Sequence, residues 1–248
     1  MQHVALYGNE VNLLLLEERD FIAAGRVRIA GRRFDQLRQV WRAEAGSVRR
    51  VGLLGGNTGT ARVAALGETE AELEVVLDTP PPPPLPVTLV AALPRPKTLA
   101  KLLHCSVSMG VKHIILLESW KVEKSYWATP LLAPEALRES AMLALEQSCD
   151  TIPPRIELRR RFKPFVEDEL AAVAAGTRLL VGHPAAAAPF PRRPERPVTL
   201  LIGPEGGFTE YEIGLLQTHG AEAVNFGSRP LRTEFALAAM LGAFEFRR

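Results

Sequence analysis

Two different alternations of apolar and polar positions run along the chain and divide it. Val27-Arg28-Ile29, Val48 to Leu54, Thr60 to Ala65 and Ala71 to Leu77 are short β-prone stretches, separated by Gly31, Gly46, Gly55-Gly56-Asn57 and Gly67. In Ala71 to Leu77, Glu72 and Glu74 stand against Leu73 and Val75. A period of two broken by turn residues predicts half-buried strands, here those of a small β-barrel. One helix is predicted near Phe34 to Arg42, where Leu37, Val40 and Trp41 recur at helical spacing.

Beyond Val87 apolar runs alternate with amphipathic segments, the signature of a mostly parallel sheet covered by helices. Strands are predicted at Val87 to Leu93, Val111 to Leu117, Arg178 to Val181, Val198 to Ile202 and Ala223 to Phe226. Helices are predicted at about Thr98 to Met109, Pro134 to Cys149, Phe165 to Ala175, Glu210 to His219 and Thr233 to Phe246. Pro134 suits a first turn, Gly110 and Gly220 suit helix ends, and Thr209-Glu210-Tyr211-Glu212 reads as a capping box. Between the two patterns lie Pro80 to Pro84 and Pro86, whose fixed φ angles and missing N–H groups predict a stiff extended spacer. The fold class is therefore α/β, with a barrel over 1–78, a linker over 79–86 and an α/β domain over 87–248.

Composition adds little until charge is placed along the chain. The 248 residues carry a formal net charge of +2. Yet Arg19 to Arg50 holds nine arginines against three acids, and no lysine occurs before residue 79. An arginine-rich face matches phosphates and base edges, so Arg19, Arg26, Arg28, Arg32, Arg33 and Arg38 are candidate RNA contacts, against the plainer reading of a solvated face. Cys105 and Cys149 form no metal-spaced cluster, and both read as reduced, buried thiols. His104 and His219 suit helix interior and helix end, so no metal is expected. The opening Met1-Gln2-His3 begins no export signal and no run of about 18 apolar residues occurs, so a cytoplasmic protein without a membrane span is expected.

Two loops carry the candidate chemistry. Ile202-Gly203-Pro204-Glu205-Gly206-Gly207-Phe208 joins a buried strand to a capped helix, at the sheet edge where open α/β folds bind ligands. Its glycines lack Cβ atoms, so the backbone can approach a flat ligand closely, and a valine at Gly206 is expected to block such a ligand. The spacing matches neither a dinucleotide fingerprint nor a triphosphate loop. The second loop, Asn225 to Glu234, also follows a strand and opens a helix. Thr233 reads there as N-cap, whereas Arg232 opposes the helix dipole and is expected to face an anion or an electron-rich base.

GPEGGFTEYE followed by FGSRPLRTEFA resembles the paired signature of the bacterial RsmE family, of the SPOUT superfamily, which methylates N3 of a uridine in 16S ribosomal RNA. Ala92-Leu93-Pro94, Met109-Gly110-Val111, Glu146-Gln147-Ser148 and His183-Pro184 follow in family order. The resemblance implies a PUA-like RNA-binding barrel, then a methyltransferase domain with a deep trefoil knot, a homodimer, and 16S rRNA or the small ribosomal subunit as substrate. It implies S-adenosylmethionine as cofactor, held by His183, Ile202, Gly203, Pro204, Glu205, Gly206, Gly207, Phe226, Gly227, Leu231 and Arg232. Arg232 and Glu234 are the catalytic candidates, Arg232 to stabilise a uracil anion and Glu234 either to accept its proton or to orient Arg232.

The chain departs from the family at Cys105 to Gly110, at Glu118-Ser119-Trp120-Lys121 and at Asp150, where charged residues are usual. Arg159-Arg160-Arg161-Phe162-Lys163 could supply compensating phosphate contacts, with a solvated loop leading into a helix as the equal alternative. Trp120, Tyr126 and Trp127 could stack on bases, but burial against the sheet is the preferred reading. A non-catalytic RNA-binding protein, and the same methyl transfer aimed at transfer RNA, are the competing functions.

Overall fold

A computed structural model describes residues 12–245, so Met1-Gln2-His3 and the Phe246 end of the last predicted helix lie outside the described residues. The chain forms two compact units. The first takes the described residues up to Pro82 together with Met142–Pro153, and the second takes Pro83–Ala141 and everything from Pro154 onward.

The first unit holds β1 (Leu14–Leu16), β2 (Phe21–Ala23), β3 (Arg26–Ala30), α1 (Arg32–Asp35), β4 (Val48–Leu53), β5 (Thr58–Leu66) and β6 (Glu70–Thr79). They form one curled sheet in the order β1-β4-β5-β6-β3-β2, with β1 parallel to β4 and the other pairs antiparallel. The predicted helix runs over Arg32–Val40 and changes character within it: α1 gives way to a π-helical turn over Gln36–Val40, and Val40 is exposed. Alternation does the sorting here. Val27 and Ile29 of β3 pair with Leu73 and Ala71 of β6 on the buried face, against Leu14, Leu16, Phe34, Leu37 and Val51. The same register sets Arg26 opposite Glu74 and Arg28 opposite Glu72 on the outer face.

The second unit contains β7 (Val87–Ala92), α2 (Pro96–Ser108), β8 (His113–Leu117), the start of α3 (Pro134–Ser148), β9 (Arg155–Arg159), α4 (Phe162–Pro164), α5 (Leu170–Val173), β10 (Arg178–Gly182), β11 (Ala188–Pro189), β12 (Val198–Ile202), α6 (Glu210–Thr218), β13 (Glu222–Asn225) and α7 (Thr233–Glu245). Seven strands, all parallel, lie in the order β11-β13-β10-β12-β7-β8-β9. Central strands such as β12 are buried throughout, which is why they read as continuous apolar runs. The helix predicted over Phe165 to Ala175 is instead a broken one, with a π-helical turn at Phe165–Glu169 between α4 and α5. The proline segment carries neither helix nor strand between β6 and β7, and its second half is no free spacer: Leu85 is buried, its N–H donates to the Gly110 carbonyl at 2.9 Å, and Pro86 accepts from the Val198 N–H at 2.9 Å.

Strand register positions the site. Gly182, the last residue of β10, lies opposite Ile202, the last of β12, and opposite Val224 near the end of β13. Three neighbouring parallel strands therefore release their chains at one level, and the loops beginning at residues 183, 203 and 226 emerge side by side.

Candidate active site

These three loops enclose a cavity of about 680 Å³, counting its open mouth. His183 and Pro184 come from the first loop, Gly203, Pro204, Glu205 and Gly207 from the second, and Phe226, Gly227 and Leu231 from the third. Ala236 and Met240 of α7 complete it from the helix side. A wall of Ile202, Leu231 and Met240 with glycine backbone between offers a flat heterocycle both an apolar face and unshielded amide groups.

The two glycine positions flanking Pro204-Glu205 serve different ends. A Cβ on Gly203 would come within 2.9 Å of the Phe208 backbone nitrogen, so its absence lets the loop fold back on itself. Gly207 has φ +68°, a left-handed conformation that disfavours side chains. Gly206 does not line the cavity; a Cβ there would meet Lys121 Cδ at 3.1 Å, and its carbonyl accepts from Lys121 Nζ at 2.8 Å. The expected block by a valine at Gly206 is thus replaced by contact with a movable side chain, and Gly203 is the sterically closed position.

Several residues that the motifs did not single out hold the loops. Asn225 Nδ2 donates to the Ala186 carbonyl at 2.6 Å while its Oδ1 accepts from the Gly227 N–H at 3.1 Å, tying the loops after β10 and β13 together. Arg95, just before α2, pairs through Nε with Glu205 Oε1 at 3.1 Å. Met240 Cε would touch a Cβ on Gly182 at 3.0 Å, so a glycine ends β10. Only the loop amide and the small residue at a strand end were signals in the sequence.

Arg232 and Glu234 stand at the start of α7 but are not among the cavity-lining residues. Thr233 is the first helical residue, so it is not the N-cap; the Arg232 carbonyl accepts from the Phe235 and Ala236 N–H groups instead. Arg232 is exposed. Glu234 is buried, with Lys101 Nζ at 3.4 Å from Oε1. Its own backbone N–H, then Lys101 and Arg232, hold its carboxyl below the usual carboxylate range against the opposing effect of burial.

The six candidate RNA arginines of the first unit are largely engaged. Arg33 forms a bidentate pair with buried Asp20 and also donates to the Leu15 carbonyl at 3.2 Å. Arg32 is bidentate to Glu146 at 2.9 Å, Arg28 pairs with Glu72 at 2.9 Å, and Arg26 lies 4.0 Å from Glu72. Arg19 pairs with Glu17 at 3.0 Å, and Arg38 donates to the Glu68 carbonyl at 3.0 Å beside the Phe34 ring. Five of the six thus face a carboxylate, and Arg38 a backbone carbonyl.

Of the aromatic residues near the second loop, Trp127 is buried beneath Arg160, whose guanidinium lies 5.1 Å from a ring centroid. Trp120 is the opposite of the burial expected for it, at 85% exposure. Both cysteines are free and half-buried, and burial raises the Cys105 thiol above its ordinary value. Among the described residues no group of three or more His, Cys, Asp or Glu side chains is placed to hold a metal ion, and no helix is long and apolar enough to cross a membrane.

A parallel sheet with a loop-built cavity over the carboxyl ends of β10, β12 and β13 defines an α/β ligand-binding protein with its site at the strand ends. The family model described as an RNA methyltransferase domain matches residues 81–245. The chain is 28% identical to the ribosomal RNA small subunit methyltransferase E of Treponema pallidum over 237 residues, covering 92% of this chain and 88% of that protein. The solved ribosomal RNA small subunit methyltransferase E of Neisseria gonorrhoeae, bound to S-adenosyl methionine, superposes with a TM-score of 0.76 at 23% identity, covering 94% and 97% of the two chains. A methyltransferase from Legionella pneumophila, in complex with bound SAM, gives a TM-score of 0.71 at 21% identity, covering 94% and 97%. The chain belongs to the RNA methyltransferase family, in its RsmE branch.

Proposed function

We propose that this protein transfers the methyl group of S-adenosylmethionine to N3 of a uridine in 16S ribosomal RNA. The observation that carries the reading is the cavity over three level strand ends, whose glycine backbone and apolar wall suit an adenosine-bearing ligand. The relatives named above support it through what they act on and bind. Bound S-adenosylmethionine would supply an activated methyl group; His183, Ile202, Gly203, Pro204, Glu205, Gly207, Phe226, Gly227 and Leu231 would hold it. Gly206 supports the loop from behind through Lys121.

Uracil N3 is weakly nucleophilic until it loses its proton, when negative charge spreads onto O2 and O4. The exposed guanidinium of Arg232 is suited to stabilise that charge more than the neutral base, which selectively lowers the barrier. Glu234 is a poor proton acceptor, because its carboxylate is already favoured by its own N–H, Lys101 and Arg232. Its part is to anchor the turn that carries Arg232.

On this reading residues 1–78 form a PUA-like RNA-binding barrel, 79–86 join it to a SPOUT domain over 87–248, and the last segment threads a trefoil knot. The knot reading draws on the strand order, in which β10 lies between β12 and β13. A homodimer in the cytoplasm completes the proposal. The test is to incubate the protein with radiolabelled S-adenosylmethionine and either small ribosomal subunits or transfer RNA, then map the base by mass spectrometry. Label at uridine N3 of 16S rRNA is expected; label only in transfer RNA, or none, overturns the assignment.

A further inference from the structure

A second depression, of about 870 Å³ counting its mouth, lies beyond the Lys121 side of the glycine loop. It is walled by Trp120 from the loop after β8, Phe162 from the turn after β9 and Tyr211 from the first turn of α6. Trp120 is 85% and Tyr211 62% exposed. Large rings left this open cost free energy in water, about 25 cal/mol for each Å² of apolar surface that a partner could cover.

The backbone beneath these rings is held in place. The Trp120 backbone N–H donates to Glu212 Oε1 at 2.7 Å, and the other oxygen of that buried carboxylate accepts from the Thr209 N–H at 2.8 Å and its hydroxyl at 2.9 Å. The one acid in the depression is therefore satisfied internally. Phe162 packs at 5.7 Å between centroids against Phe208, the buried residue that closes the glycine loop. A fixed backbone beneath an exposed indole is a preorganised stacking surface.

The surroundings are cationic. Lys163 lines the depression with its side chain 59% exposed, and its ion pair with Glu167 is long at 3.6 Å. Arg161 is exposed, and Lys121 spends its hydrogen bond on a neutral carbonyl, so its charge stays uncompensated there. Open aromatic faces bordered by cations fit unstacked bases and their phosphates, whereas a duplex hides its base faces.

We propose that Trp120, Tyr211 and Phe162 form a stacking platform for single-stranded RNA on the catalytic unit. It takes nucleotides flanking the methylated base and so contributes to target selection. The idea rests on the methyltransferase reading for the identity of the RNA, but not for the binding itself.

The experiment uses the whole protein and its Trp120→Ala, Trp120→Phe and Tyr211→Ala variants. Fluorescence anisotropy would follow an unstructured single-stranded RNA of about 12 nucleotides and a duplex of equal length, with S-adenosylmethionine affinity taken by calorimetry on the same samples. Trp120→Ala is expected to weaken single-strand binding about 10-fold, Trp120→Phe to restore most of it, and Tyr211→Ala to weaken it by less. Duplex and S-adenosylmethionine affinities should stay at wild type. Single-strand affinity unchanged in Trp120→Ala, an equal loss for duplex, or a change in sedimenting mass that marks the face as a contact between copies would each overturn the platform. If wild type binds the single strand through Trp120 yet methylates no ribosomal RNA, the platform stands and the methyltransferase reading falls. If it methylates normally while Trp120→Ala binds the single strand at wild-type affinity, the reverse holds.

Discussion

Gly203 and Gly206 differ by what stands in front of a β-carbon. At Gly203 the obstacle is the backbone nitrogen of Phe208 at 2.9 Å, which can move only if the loop unfolds locally. At Gly206 it is the end of the Lys121 chain, which can swing into solvent. Gly203→Ala is therefore expected to lower S-adenosylmethionine affinity at least about 10-fold and to destabilise the fold by about 1–3 kcal/mol, the usual cost of overpacking. Gly206→Ala should change either by far less. Calorimetry and thermal unfolding on both variants check this, and equal losses would show that the two glycines do the same job. Both glycines were visible in the sequence as one motif. Their separate reasons were not, because those depend on Phe208 and Lys121, and Lys121 is 85 residues away along the chain.

At the scale of elements, local signals carried furthest where the cause is local. The capping box at α6 is present as spelled: Thr209 Oγ1 accepts from the Glu212 N–H at 3.2 Å, and Glu212 reaches back to the Thr209 N–H. Thr209→Ala should cost about 1 kcal/mol and lower the melting temperature by about 2–4 °C, read by calorimetric unfolding. An unchanged melting temperature would mean that Trp120 and Glu212 hold the turn without the hydroxyl. Strand β9 escaped notice because Arg155, Glu157 and Arg159 look like loop residues. They are strand residues whose charges pair among themselves and with Glu169, Arg159 reaching Glu157 at 2.8 Å and Glu169 at 2.6 Å. The π-helical turns at Gln36–Val40 and Phe165–Glu169 escaped too, since apolar spacing tolerates one extra residue without showing it.

For the molecule as a whole, the division into a curled sheet and a parallel sheet was legible from the change of period near residue 86. The assignment of Met142–Pro153 to the first unit was not, since the helix that begins at Pro134 shows no break in pattern where the units divide. Charge counting left out the partners. Part of the arginine excess is met by strand register, which sets Arg26 and Arg28 against Glu74 and Glu72. Opposed charges across a strand pair screen each other before any phosphate arrives. Arg28→Gln is therefore expected to leave the dependence of RNA binding on salt nearly unchanged. Arg161→Gln should reduce the slope of log K against log salt by about 1, as the loss of one phosphate contact does. Titrations of the full protein at several salt concentrations decide it; a larger change from Arg28→Gln would return the first unit's outer face to the RNA.

The strand ends that open the cavity are level, so they set its floor but not its depth. One flexible thioether, that of Met240, lines the cavity from α7 and rests on Gly182. A shorter side chain there would leave the enclosing loops and their ties untouched while widening the cavity beside Gly182. Sulfonium donors carrying groups bulkier than methyl could then be accommodated, which makes this single position the natural entry point for redirecting the protein to label RNA rather than modify it.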